Sequence, residues 1–369
     1  EDWLLKAHPG TGSSVPVVET DTFCIPYTAG TTGKPKGVLL PHRSRVLTFF
    51  AMAVEYGCYS VEDRALAIAP LYHGAGFAFA MAPIFFGGSC DVLSKFDPEQ
   101  VLGRLMAKGI TNTFMVPTHF NAMFALGEVT LAKYSAPGLR TIVSNAAPLP
   151  QTTKERIVAR FGPNILHETY GSTEGGIVCN LRPQDQLRKI QCVGQPFPCT
   201  EVRLLDENGA DVAAGEIGEL YSRSPYLFSG YWGAPKATSD AYRGEWMSVG
   251  DLARRDEEGY IYLVDRKKDL IISGGVNIYP REIEEVLYRH PAIFEAAVIG
   301  IPDSYWGEAV EAVVSCRGGE RVSAEALVEY CRIHLAGYKV PKSIRFVEAL
   351  PRNAAGKILK RELRSGPAS

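Results

Sequence analysis

From residue 20 to about 180, short apolar runs alternate with helical segments, and this alternation constrains the fold more than any other feature of the chain. Strands are expected at residues 65–69, 113–116, 141–144 and 165–166, with helices between them, as at 98–107 and 151–160. Such a pattern implies βαβ units: a largely parallel sheet covered by helices.

A loop of unusual composition precedes this region. Tyr27-Thr28-Ala29-Gly30-Thr31-Thr32-Gly33-Lys34-Pro35-Lys36-Gly37 follows the apolar run Phe23 to Tyr27, which reads as a short strand broken by Pro26. Glycine lets backbone N–H groups approach an anion, threonine adds hydroxyl donors and lysine adds point charge. The loop therefore reads as a triphosphate cradle. It is not a Walker loop, because Lys34 is followed by Pro35 rather than by Ser or Thr. A plain surface loop is the bland alternative.

The bulk properties fit an ordinary soluble globular protein. The chain has 369 residues, 46% apolar and 22% charged, with a net charge of −2. That balance gives no reason to expect nucleic acid or an anionic membrane as partner. The apolar stretch 65–88 is interrupted by Pro70, His73, Pro83 and several glycines, so buried strand and helix are expected rather than a membrane span. The eight cysteines form no C-x-x-C pair and read as small core residues of a cytoplasmic protein. Residues 1–18 look like a linker, and an upstream part of the fold is expected to be missing.

Texture divides the rest. Residues 190–265 carry short β-like runs separated by turns, which suggests a small antiparallel subdomain. After Arg266, a helix opening at Pro280, strands at 296–301 and 309–315 and a helix capped by Ser323 suggest a compact α+β lid. The expected division is a larger N-terminal part at 1–266 and a C-terminal lid at 267–369.

Tyr170-Gly171-Ser172-Thr173-Glu174-Gly175-Gly176 places a ring, hydroxyls and a carboxylate within a few residues. Tyr170 suits stacking on a base, Thr173 a phosphate, and Glu174 a hard cation such as Mg²⁺. Alone, the segment also reads as an ordinary loop.

Five segments then occur in order: the loop at 27–37, Tyr170 to Glu174, Tyr242 to Asp251 with its Val249-Gly250-Asp251, Asp265-Arg266-Lys267-Lys268-Asp269, and Pro351-Arg352-Asn353-Ala354-Ala355-Gly356-Lys357. Together they resemble the acyl-adenylate-forming superfamily of acyl- and aryl-CoA synthetases, luciferases and peptide-synthetase adenylation domains. The resemblance covers nearly the whole chain. It implies an α/β fold with a small β subdomain and a mobile lid, and the co-substrates ATP with Mg²⁺ and coenzyme A.

It also implies residue roles. Thr28, Gly30, Thr31, Thr32, Gly33 and Lys34 would embrace the β- and γ-phosphates; Ala29 stands where the family usually has Ser. Tyr170 and Gly171 would lie against adenine, with Asn145, Ala146, Ala147 and Pro148 along its other side. The family's common text there is Gly-Gly-Ala-Pro, so two positions depart from it. Asp251 would take both ribose hydroxyls and Arg266 would support them; read alone, the first is an ordinary turn residue and the second a surface ion pair. Thr173 would contact phosphate and Glu174 would hold the metal.

Lys357 would bridge the substrate carboxylate and the α-phosphate, where two anions must meet; the plain alternative is a lysine at the start of a basic helix. For thioester formation the lid would rotate about Lys268, bringing Gly274 and Gly275 beside the pantetheine tunnel. His73, Phe77, Val116, Thr118 and Thr169 would line the acyl pocket, with Tyr72 and Phe79 as further aromatic walls. Thr169 rather than arginine before Tyr170 disfavours a dicarboxylic acid, leaving an aromatic or medium-chain monocarboxylic acid.

The favoured function is therefore an ATP-dependent acid–CoA ligase acting on small molecules, with a homodimer left open. The alternatives are an adenylation domain serving a carrier protein, a luciferase-like oxygenase and an inactive nucleotide-binding homologue.

Overall fold

The computed structural model describes residues 15–29, 35–107, 109–352 and 358–364. Its centre is a seven-stranded sheet in the order Gln195–Pro196, Gly176–Leu181, Leu166–Ser172, Thr141–Ser144, Asn112–Met115, Arg64–Ala67, Ser89–Val92. The last five strands run parallel, and the first two pair antiparallel beyond them. The expected alternation is thus present, with helices Gly74–Phe85, Pro98–Ala107, Pro117–Phe124 and Gln151–Phe161 between strands. Val101, Leu102 and Leu105 bury one helix face against Ile142, Leu166 and neighbours in the main core. The apolar stretch after Arg64 resolves into a strand and the helix Gly74–Phe85, and among the described residues no helix is long and apolar enough to cross a membrane.

The strand order reverses at Arg64–Ala67: the chain next adds Ser89–Val92 on one side, then Asn112–Met115 on the other. In open parallel sheets the crevice beyond the strand C-termini at such a switch point is where ligands bind. The segments beginning at Ala69, Val116 and Asn145 all leave the C-terminal ends of these strands.

A four-stranded sheet joins Thr22–Cys24, Tyr27–Ala29, Pro35–Pro41 and Gly230–Tyr231. Within it, Thr28 pairs with Lys36, which draws the two flanks of the glycine-rich loop together. Residues 201–266 contain an antiparallel six-stranded sheet that includes Gly218–Arg223, Asp251–Arg255 and Ile261–Arg266.

After Arg266, the short 3-10 turn Lys267–Asp269 leads into a five-stranded sheet whose long pair is Ile293–Asp303 with Gly307–Cys316. Helices Pro280–Tyr288 and Ala324–His334 cover one face through Ile283, Leu287, Leu327 and Cys331. The Ser323 hydroxyl caps the second helix by accepting from the Ala326 N–H at 3.2 Å. The other face buries Ala297, Ile299 and Val313 with Leu363 of the short helix Lys360–Arg364. That helix is tied down by Lys360–Glu284 at 2.7 Å and Arg364–Asp269 at 3.3 Å. All eight cysteines are free thiols.

Candidate active site

Three strand ends converge on Asp251. This carboxylate is 5% exposed, and its Oδ2 accepts the Tyr170 hydroxyl at 2.6 Å. The Arg266 Nε lies 3.0 Å from Oδ1, and the two residues are direct cross-strand partners. Burial, reinforced by Asp251, pushes the Tyr170 phenol far above its ordinary range, so it stays a donor. Each carboxylate oxygen has two lone-pair sites, so the pair of contacts leaves acceptor capacity for further hydroxyls. Tyr170 is therefore anchored through its hydroxyl, a tie that its reading as an adenine-stacking ring did not include.

Tyr170 to Ser172 belong to a strand rather than a loop. Leu166–Ser172 pairs antiparallel with Gly176–Leu181, and residues 173–175 form the connection. Gly171 makes this hairpin possible: a Cβ there would stand 2.0 Å from the Gly176 carbonyl oxygen. Thr173 is half-buried beside Gly74, where a Cβ would lie 3.8 Å from its hydroxyl oxygen. The helix start at His73 thus meets the turn that carries Glu174.

Glu174 is 8% exposed. Its Oε1 accepts the Tyr231 hydroxyl at 2.8 Å, and among the described residues no donor reaches Oε2. A buried carboxylate with one open oxygen fits Mg²⁺, which usually takes one or two carboxylates plus phosphates and water. Among the described residues no group of three or more His, Cys, Asp or Glu forms a closed metal cage.

The segment after Thr141–Ser144 forms a wall facing Tyr170's strand. The Asn145 amide donates to the Thr169 hydroxyl at 2.9 Å. Ala146, Ala147 and Pro148 are exposed, and Ala146 holds a φ of +77°. That left-handed backbone costs a residue bearing a Cβ roughly 1–2 kcal/mol. At the far end of the wall the Leu149 N–H donates to Glu168 at 3.3 Å. Glu168 in turn pairs with Lys154, which is only 1% exposed. Sequence reasoning missed this buried pair because a lone lysine in a helix gives no local sign of an acidic partner on a neighbouring strand.

The residues expected to line an acyl pocket are spread around the switch point. His73 is half-buried at the start of helix Gly74–Phe85, and burial lowers its imidazole below the usual range. Phe77 is half-buried with Phe23 at 6.0 Å between ring centroids. Val116 is half-buried at the start of helix Pro117–Phe124, Thr118 is exposed and Thr169 is buried. Of the further aromatic walls, Tyr72 is 73% exposed, and Phe79 lies in the core, stacked on Phe114 at 4.4 Å. Phe79 is therefore a core residue below the rim rather than an exposed wall.

Thr28 is half-buried on its strand, whereas Gly30, Thr31, Thr32, Gly33, Lys34 and Lys357 lie outside the described residues. The flanks of residues 353–357 are joined by an Arg352–Ile358 bridge, and the Leu359 N–H donates to Pro351 at 2.8 Å. Lys268 is exposed in the 3-10 turn after Arg266. Gly274 and Gly275 form a two-residue hairpin turn with φ of +57° and +80°, the positive pair such turns require.

A model of the AMP-binding enzyme family matches residues 3–232, and a model of its C-terminal domain matches residues 282–357. The chain belongs to the AMP-binding enzyme family. A feruloyl-CoA synthase from Amycolatopsis sp is 40% identical over 95% of this chain and 71% of its own length. A long-chain-fatty-acid–CoA ligase from Yersinia pestis is 38% identical over 94% of this chain and 62% of its own length. Among solved structures, an o-succinylbenzoate CoA synthetase from Bacillus subtilis, in complex with its acyl-adenylate intermediate, superposes with a TM-score of 0.86. It is 30% identical and is matched over 94% of this chain and 70% of the other. Membership accords with the acyl-adenylate-forming resemblance carried by the five motifs.

Proposed function

We propose that this chain carries out ATP-dependent ligation of a carboxylic acid to coenzyme A through an acyl-adenylate. The observation that carries the reading is the convergence of Tyr170, Asp251 and Arg266, from separate strands, next to the turn bearing Thr173 and Glu174. A buried acceptor with spare lone pairs, bonded to the strand that runs on into a turn whose carboxylate has one open oxygen, suits a nucleotide whose phosphates carry a cation.

In this reading Asp251 accepts the ribose hydroxyls, while Arg266 and the Tyr170 hydroxyl hold that carboxylate in place. The wall from Asn145 to Pro148 confines adenine and acyl group. Thr173, Thr28 and the loop residues Gly30 to Lys34 bind the phosphates. A substrate carboxylate oxygen attacks the α-phosphorus, the bond to the bridging oxygen breaks, and pyrophosphate leaves. Lys357 offsets the repulsion between the two anions. Mg²⁺ held at Glu174 would supply charge neutralisation for the departing pyrophosphate. Rotation about Lys268 then brings the Gly274–Gly275 turn to the site, and the deprotonated thiol of coenzyme A attacks the acyl carbonyl to expel AMP. The acid is an aromatic or medium-chain monocarboxylate, as the half-buried Phe77 and Val116 suit an apolar tail.

The test is ATP–pyrophosphate exchange against a panel of acids, followed by thioester analysis with and without coenzyme A. Exchange with one acid class and a CoA-dependent thioester support the proposal. Exchange without any CoA thioester would point to a carrier protein as acceptor, and no exchange with any acid would end the adenylation reading.

A further inference from the structure

Tyr231 lies on the two-residue strand Gly230–Tyr231, which pairs with Pro35–Pro41, the strand following the phosphate loop. Its register partner there is Val38. From this position the side chain reaches two other segments at once. The hydroxyl donates to Glu174 Oε1 at 2.8 Å, and the Lys36 ammonium sits 4.8 Å from the ring centroid. The ring meets Phe228 edge-on at 4.9 Å, and the Phe228 N–H donates to the Glu174 carbonyl at 2.9 Å. One phenol thus connects the strand after the phosphate loop, the carboxylate turn and the aromatic support beneath that turn.

We propose that Tyr231 is a positioning residue that fixes the Glu174 carboxylate and the Lys36 ammonium in one arrangement for the triphosphate and its divalent cation. The proposal rests on the assignment of Glu174 as the cation's carboxylate. The hydroxyl engages one oxygen and thereby sets the carboxylate's orientation, leaving Oε2 for the cation. Outer partners of this kind orient ligating carboxylates and tune their affinity. The ring face gives Lys36 an attractive site of its own, so the lysine need not close on the carboxylate; among the described residues no ion pair joins Lys36 to Glu174.

Tyr231→Phe keeps the ring and removes only the hydroxyl. The readout is Mn²⁺ binding by electron paramagnetic resonance, with ATP present and acid absent, beside calorimetric binding of metal-free ATP. Tyr231→Phe is expected to bind Mn²⁺ about tenfold more weakly, the scale of losing an outer partner of a metal ligand, with metal-free ATP binding unchanged. Tyr242→Phe serves as the matched control: Tyr242 stacks on the same Phe228 at 5.6 Å but donates to the Phe228 carbonyl instead. Its Mn²⁺ affinity is expected to equal the parent's. Parent-like Mn²⁺ binding in Tyr231→Phe, with loss in Glu174→Gln, overturns the role of Tyr231 alone. Equal weakening of Mn²⁺ and metal-free ATP in Tyr231→Phe also overturns it, by revealing a general distortion. Parent-like Mn²⁺ binding in Glu174→Gln overturns the metal assignment beneath it.

Discussion

Replacing Asp251 by asparagine tests the ribose assignment with little change of shape. The carboxylate is almost fully buried and already accepts the Tyr170 hydroxyl at 2.6 Å. Hydrogen bonds to a charged group are worth about 1.5–3 kcal/mol, against about 0.5–1.5 for neutral ones. Two ribose hydroxyls that lose a charged acceptor should each forfeit about 1 kcal/mol, which amounts to roughly 30-fold in ATP affinity. The fold should tolerate the change. Tyr170 keeps an amide carbonyl to donate to, and the Arg266 side chain is 36% exposed, so its lost pair is screened by water. The assay is ATP KM in pyrophosphate exchange at saturating acid, beside calorimetric ATP binding without acid and a thermal midpoint. The expected pattern is a raised ATP KM with an unchanged acid KM. An ATP affinity within about threefold of the parent would refute the reasoning, since it would mean that no hydroxyl depends on this charge.

Lys357→Ala should slow adenylation by about two to three orders of magnitude, the scale of losing one electrostatic stabiliser, and normal exchange rates would remove the residue from the first step. Lys154→Met leaves Glu168 buried without its cation and should cost about 3–5 kcal/mol in denaturant unfolding. A loss below about 1 kcal/mol would mean the pair does not hold the wall in place. Burial pulls the His167 imidazole down to about 4 from 6.5, so the unfolded chain takes up this proton first. Its share of stability is complete above about pH 6.5 and declines as pH falls toward about 4, amounting to about 2 kcal/mol between pH 7.5 and pH 5. Unfolding of the parent and of His167→Gln at those two pH values checks this, and an identical slope in both would contradict it.

Parallel strands with an apolar centre were legible, as in Thr141–Ser144, where Ile142 and Val143 lead and all four residues are buried, whereas Ser89–Val92, half-buried at the sheet edge and carrying Ser89 and Asp91, was not expected. The strand Leu166–Ser172 was not legible beyond its start, because His167, Glu168 and Thr169 are polar yet buried. Their partners are remote or in other elements: Asn180 for His167, Lys154 for Glu168 and Asn145 for Thr169. No local pattern reports such pairings. The tie between Tyr231 and Glu174 is hidden for the same reason, with a sequence separation of 57 residues. Motif order singled out Asp251 and Arg266, but only the antiparallel register makes them direct partners.

The division between rims and core has a consequence for how such an enzyme changes over time. The rims include exposed positions such as Tyr72, Ala147 and Pro148, where a surface substitution usually shifts stability by no more than about 0.5 kcal/mol. The stacked Phe79–Phe114 pair below belongs to the central core, where truncation of an aromatic ring costs about 3–5 kcal/mol. With the acid pocket placed at these rims as proposed, new diets of organic acids are cheapest to acquire by editing them, one tip at a time, over a bedrock that stays as it is.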